Sequence, residues 1–139
     1  MDVEVNLVGV LAGAVVSMAV GGFWYSKAGF GKDWEKLEHI DQKKAAAGAP
    51  KALTGMFVLA LVMAYVVAHV SYLSYHFFAE SFKSSAISSA FWLWLGLVVP
   101  TTASNSLFNQ KPWKITLIHT GNWLVTLLGM GLVIGMIGL

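Results

Sequence analysis

Cysteine is missing from this chain, and so is arginine. Without thiols there are no disulfide staples, no thiolate metal sites, no iron–sulfur ligation and no cysteine nucleophile. Without the planar guanidinium fork, the usual tool for reading phosphates and bases is missing, so nucleic acid is not an expected partner. Charge of either sign is also scarce. Charged residues make up 12% of the 139 residues while 57% are hydrophobic, against roughly 25% charged in a soluble domain. Such a chain cannot dress its own surface in polar groups. Lipid must be its solvent, and it is expected to be a single all-α membrane domain spanning residues 1–139.

A bilayer core about 30 Å thick is crossed by about 20 apolar helical residues. Four windows meet that length: residues 7–25, 53–72, 87–107 and 115–139, none containing Asp, Glu or Lys. A four-helix membrane bundle follows. The first window is preceded by Asp2 and Glu4 and ends in Trp24 and Tyr25. A secretory signal has a basic flank and a small-residue cleavage site instead, so this window is expected to be a retained helix.

Orientation follows from lysine placement. Loop one holds Lys27, Lys32, Lys36, Lys43, Lys44 and Lys51, and loop three holds Lys111 and Lys114, whereas the other side has Lys83 beside Asp2, Glu4 and Glu80. By the positive-inside rule, loops one and three are expected in the cytoplasm and both termini outside it. A bacterial or archaeal cytoplasmic membrane is the expected setting. Trp24, Tyr25, Trp34 and Trp113 are expected as interface anchors. Within loop one, Phe30, Trp34, Leu37 and Ile40 recur at helical spacing opposite Lys32, Asp33, Glu35, Lys36 and Glu38. That pattern predicts an amphipathic helix over about residues 30–40 on the membrane surface. Residues 42–50 read as an Ala/Lys/Gly linker into the second span.

Two kinds of intramembrane residue stand out. Small residues let helices approach closely in lipid. Gly9, Gly13, Ser17 and Gly21 recur every fourth residue in the first span, and Gly131 and Gly135 do so in the last. Packing inside one bundle explains them most simply, and packing between subunits is the alternative. The polar residues gather in Pro100, Thr101, Thr102, Asn105, His119 and Asn122. In an antiparallel hairpin at about 1.5 Å per residue, Asn122 comes to the depth of Pro100 and His119 to that of Ala103. Pro100 frees the carbonyl of Gly96, which Asn122, Thr101 or Thr102 could satisfy. The cluster therefore either repairs a proline kink or lines a polar vestibule for a small solute or ion.

Catalysis has the least support. No carboxylate lies in any span, and although Ser104 and Ser106 have His119 as a potential base, nothing in the spans orients it. No catalytic residue, metal or cofactor is expected. His69 and His119 fall in opposite leaflets and cannot share an ion, and His69 with His76 lacks a carboxylate or thiol to complete a site.

The runs Gly21-Gly22-Phe23-Trp24-Tyr25-Ser26, Phe30-Gly31-Lys32-Asp33-Trp34 and Trp94-Leu95-Gly96-Leu97-Val98-Val99-Pro100-Thr101, with Asn105, Leu107-Phe108, Lys111-Pro112 and Gly121, cover nearly the whole chain. In these the chain resembles the small four-helix membrane proteins catalogued as domain of unknown function 1761. Members often carry proline after the Trp-Tyr-Ser run, where this chain has Lys27. The resemblance implies the four-helix fold and brings no activity.

The leading expectation is a homo-oligomer with a polar intramembrane site for a small solute or ion, like a channel or transporter. A structural or accessory subunit of a larger membrane complex, packing through glycine faces, comes second, and a lipid-acting enzyme third. The expected partners are membrane lipid and further copies of the chain.

Overall fold

The computed structural model describes residues 3–139; Met1 and Asp2, the latter counted in the charge balance above, lie outside the described residues. Its helices are α1 (Leu7–Trp24), α2 (Gly31–Leu37), α3 (Gln42–Phe78), α4 (Phe82–Leu93), α5 (Val99–Phe108) and α6 (Trp113–Ile137), with a π-helical turn, Trp94–Val98, joining α4 to α5. Four helical runs are long and apolar enough to cross a membrane: α1, α3, α4 continued through α5, and α6. The chain is an all-helical integral membrane bundle.

Local chemistry sets the helix starts. The side chains of Asn6, Asp41 and Ser81 accept hydrogen bonds from the free backbone N–H groups at the first turns of α1, α3 and α4, the usual N-cap arrangement. Ala79 in left-handed conformation (φ 53°) stops α3.

The segment expected as a linker, residues 42–50, is instead the first part of α3. Asp41 caps it, and alanines at 45, 46, 47 and 49 are the strongest helix formers. Pro50 is taken up inside the helix, with Thr54 Oγ1 donating to its carbonyl at 2.8 Å. At 37 residues, α3 runs about 55 Å, well beyond the apolar core of a bilayer. Nearly all of its first half is exposed.

In the transverse order of the bundle, α1 and α4 each pack against both α3 and α6, while α5 and the short α2 rest on α6. Helix α6 is therefore the hub. Its contact with α4 is very close: a Cβ placed on Gly131 would sit 2.6 Å from the Ala86 carbonyl oxygen, and one on Gly135 2.7 Å from Lys83 Cα. A Cβ on Gly13 of α1 would lie 3.1 Å from Ala64 Cβ, and one on Gly9 3.7 Å from Ile134 Cα. Together with Ala14, Ala60, Ala64, Ala86 and Ala90, all at most 1% exposed, these residues replace bulky core packing by backbone proximity. The glycine stripes are thus turned into the bundle, with Gly21 as the exception.

The π turn answers Pro100. Instead of Asn122 reaching across to a freed carbonyl, the helix widens over the five residues Trp94–Val98, and Thr101 Oγ1 donates to the carbonyls of Leu97 (2.5 Å) and Val98 (3.1 Å). Trp94 Nε1 ties the bulge to the Thr120 carbonyl of α6 at 2.8 Å.

Candidate functional site

The lysine-rich end of the bundle is built around a tight turn between α1 and α2. Phe30 N–H donates to Trp24 O (2.7 Å), Gly31 N–H to Ser26 O (2.9 Å), and Ser26 Oγ to Phe23 O (2.6 Å). Side chains are excluded here. A Cβ on Gly29 would lie 2.6 Å from the carbonyl oxygens of Phe23 and Trp24, and one on Gly31 would collide with that of Tyr25. The turn holds Trp24 and Tyr25 against the start of α6: Trp24 Nε1 donates to Ile118 O at 2.9 Å, and Tyr25 Oη lies 2.6 Å from His119 Nδ1.

Helix α2 brings the charges. Its following residue Glu38 places Oε1 3.7 Å from His119 Nε2 and Oε2 2.5 Å from Lys111 Nζ, while Asp33 pairs with Lys114 at 3.2 Å. Burial first, and then the Glu38 charge, push the Tyr25 phenol up to about 12. Tyr25 is therefore a neutral phenol at ordinary pH, joined through its Oη to His119 Nδ1. The cluster joins Tyr25 to His119 and Lys111 to Glu38 by hydrogen bonds, with Glu38 approaching His119 at a wider 3.7 Å.

Deeper along α6, polar atoms are buried without partners. Asn122 is 5% exposed and Thr126 1%, and neither Asn122 Oδ1 nor Thr126 Oγ1 has a hydrogen-bond partner. These residues lie three and seven positions beyond His119, on the same side of the helix. The side they share faces α1: Gly129 and Met130 continue it, and these approach Val16 and Gly13.

The residues expected to form one vestibule are therefore divided. His119, half-buried, and Asn122, buried, face α1, whereas Pro100, Thr101 and Asn105 are exposed on α5 and Thr102 is half-buried. Asn105 Oδ1 accepts from Asn109 Nδ2 at 2.7 Å, so the α5 edge satisfies much of its own polarity. Ser106 is buried and Ser104 exposed. At the lysine-poor end His69 Nδ1 is buried without a partner, and His76 stacks on Tyr72 at 4.4 Å. Among the described residues, no three His, Cys, Asp or Glu side chains gather as metal ligands.

A model of the family described as "Protein of unknown function (DUF1761)" matches residues 8–135. The chain belongs to the DUF1761 family. No curated protein and no solved structure matches it. The turn just described uses the Trp-Tyr-Ser and Phe-Gly runs by which this DUF1761 chain resembles the family.

Sequence reasoning missed the partners of His119. Tyr25 and Trp24 were expected only as interface anchors, yet both are half-buried and hydrogen-bonded to α6; Trp34 packs on Tyr25 at 5.1 Å, and Trp113 is exposed. Glu38 reads as one charge on an amphipathic face and Lys111 as a topology lysine, and nothing local marks either as a neighbour of His119. Thr126 did carry a signal: it lies one turn beyond Asn122 on the same stripe.

Proposed function

We propose that this protein handles a small solute or ion through a crevice between α1 and α6, entered at the Tyr25–His119–Glu38–Lys111 cluster, and that it works as an assembly of copies. Loops one and three then face the cytoplasm, as the lysine bias indicates. The observation that carries the reading is a titratable group, held between Tyr25 and Glu38, at the head of a stripe of buried, unpartnered polar atoms. Intramembrane polarity of this kind is costly and usually marks a solute path. Within one chain the stripe ends against Met130 and Ile134, 0% and 2% exposed. Passage across the membrane therefore calls for a second copy or a movement of α1, and the exposed faces of α3 and α5 are free for assembly.

The experiment is reconstitution into proteoliposomes with flux read for a panel of small ions and neutral solutes. His119→Ala and Asn122→Leu should each remove most of the flux, and Asn105→Ala should leave it intact. Equal flux in all four proteins, or a strict monomer in lipid nanodiscs, would defeat the reading. A second reading, an accessory subunit, is favoured by one feature: the projecting, exposed first half of α3 with Lys43, Lys44 and Lys51. Recovery of one larger membrane complex that is lost on removing those charges would support it.

A further inference from the structure

We infer that the groove between α3 and α4 at the lysine-poor end holds one membrane phospholipid whose headgroup carries a free primary ammonium. Small residues make this groove. Where α4 faces it the side chains are Ser88 and Ser89, and the π turn that follows places Gly96 there, where a Cβ would meet no heavy atom within 4 Å. Bulky residues at these positions would fill the space against α3. Instead a groove of about 1000 Å³ is left, at the top of the size range of small-ligand sites. Buried Ser89 and half-buried Val70 and Leu93 floor it, and Phe77 and Trp92, 81% and 64% exposed, form its rims.

Depth and charge select the occupant. From Glu80 the lining descends along α3 to Val70 and along α4 and the π turn to Leu97, about 15 and 25 Å at about 1.5 Å per residue. Half a bilayer with its headgroups is about 20 Å thick. The groove therefore runs from one headgroup layer to the region of the midplane, the reach of one lipid in one leaflet. Its deep part, with Leu93 and Leu97, suits an acyl chain. At its mouth stand Glu80 and His76, both exposed. Glu80 accepts a hydrogen bond from Ser84 Oγ at 2.8 Å. Among the described residues no lysine pairs with it, and Lys83, one turn on, has its backbone against Gly135 of α6. The headgroup that fits this mouth brings positive charge and N–H donors together. A primary ammonium has three such donors. Quaternary choline has none, and phosphoglycerol sets its negative charge against Glu80.

The test is native mass spectrometry of the delipidated full chain in mild detergent, titrated with dioleoyl phosphatidylethanolamine, phosphatidylcholine or phosphatidylglycerol. The first phosphatidylethanolamine should bind roughly fivefold more tightly than either of the others, the scale of one exposed charge pair. Glu80→Gln should remove that preference. Gly96→Leu, at unchanged melting temperature, should weaken the first binding step for all three lipids. Equal binding of the three by the native chain, or a preference that survives Glu80→Gln, would overturn the headgroup assignment. Undiminished binding by folded Gly96→Leu would overturn the groove as the site. Because the chain has no cysteine of its own, Ser88→Cys adds a check in nanodiscs containing phosphatidylethanolamine. Disulfide-linked dimers on oxidation would assign the groove to a second copy and overturn the lipid, whereas a protein that stays uncrosslinked supports it.

Discussion

Helix α6 has two working faces, and they solve opposite problems. Toward α4 it presents Gly131 and Gly135, and the helices meet so closely that a single added carbon would fall within 2.7 Å of the Ala86 carbonyl oxygen or Lys83 Cα. Toward α1, on the lysine-rich half, it presents His119, Asn122 and Thr126, and a Cβ on Gly21 of α1 would meet no heavy atom within 4 Å. Lipid supplies no hydrophobic drive for helix pairing, so stability has to come from close fit. Both sides supply that fit: α1 meets α6 at Gly9 and Gly13, and α4 meets it at Gly131 and Gly135. The α1 side also keeps the unpartnered oxygens of Asn122 and Thr126.

The sharpest way to break the contrast is to put the same bulk on both faces. Gly131→Leu should destabilise the protein by about 3 kcal/mol or more, since the obstructing atom is backbone and cannot move aside. Gly21→Ala should change stability by no more than about 0.5 kcal/mol. Thermal or chemical denaturation in detergent reads both, and equal losses would show that the gap at Gly21 closes in solution. Next in size, Asn122→Leu should stabilise the fold by about 1–3 kcal/mol, because it removes a buried unmet group, while impairing whatever the crevice binds. A loss of stability would mean that Asn122 is already paired and is structural.

The smallest effect concerns the mouth. The Tyr25 phenol titrates at about 12 in the fold against 10 in the free state. The folded protein therefore holds this proton more tightly. The stability this provides is complete below pH 10 and is lost as pH rises from 10 to 12. Tyr25→Phe should flatten that alkaline decline in a melting series and, through the lost bond to His119, cost about 1 kcal/mol at neutral pH. An unchanged alkaline limb would place the phenol in water.

Much of the bundle was legible residue by residue. All four spans were located to within a few residues at most ends, because uncharged apolar length is a one-dimensional property. Residues 42–50 read as a linker because Gly48 and Pro50 disfavour helix, yet the Asp41 cap and the alanines carry α3 through that stretch. The polar cluster was read by depth alone. Depth did put His119 and Asn122 in one half of the membrane, but it says nothing about azimuth, and the π turn rotates Pro100, Thr101 and Asn105 onto the exposed side of α5. Glycine stripes are similarly two-valued in sequence, since the same spacing serves a contact within a chain or between chains.

What the sequence determined by itself was the solvent of this protein, the number of its spans and the absence of thiol and guanidinium chemistry, all of which follow from composition and run length. Only the tertiary structure decided that Glu38, 81 positions before His119 in the chain, would stand beside it, and that Asn122 and Thr126 of α6 would be buried with unpartnered oxygens. Those outcomes depend on how helices rotate and lean against one another. Their register is set by a few close backbone contacts and one tight turn, which no single segment encodes alone.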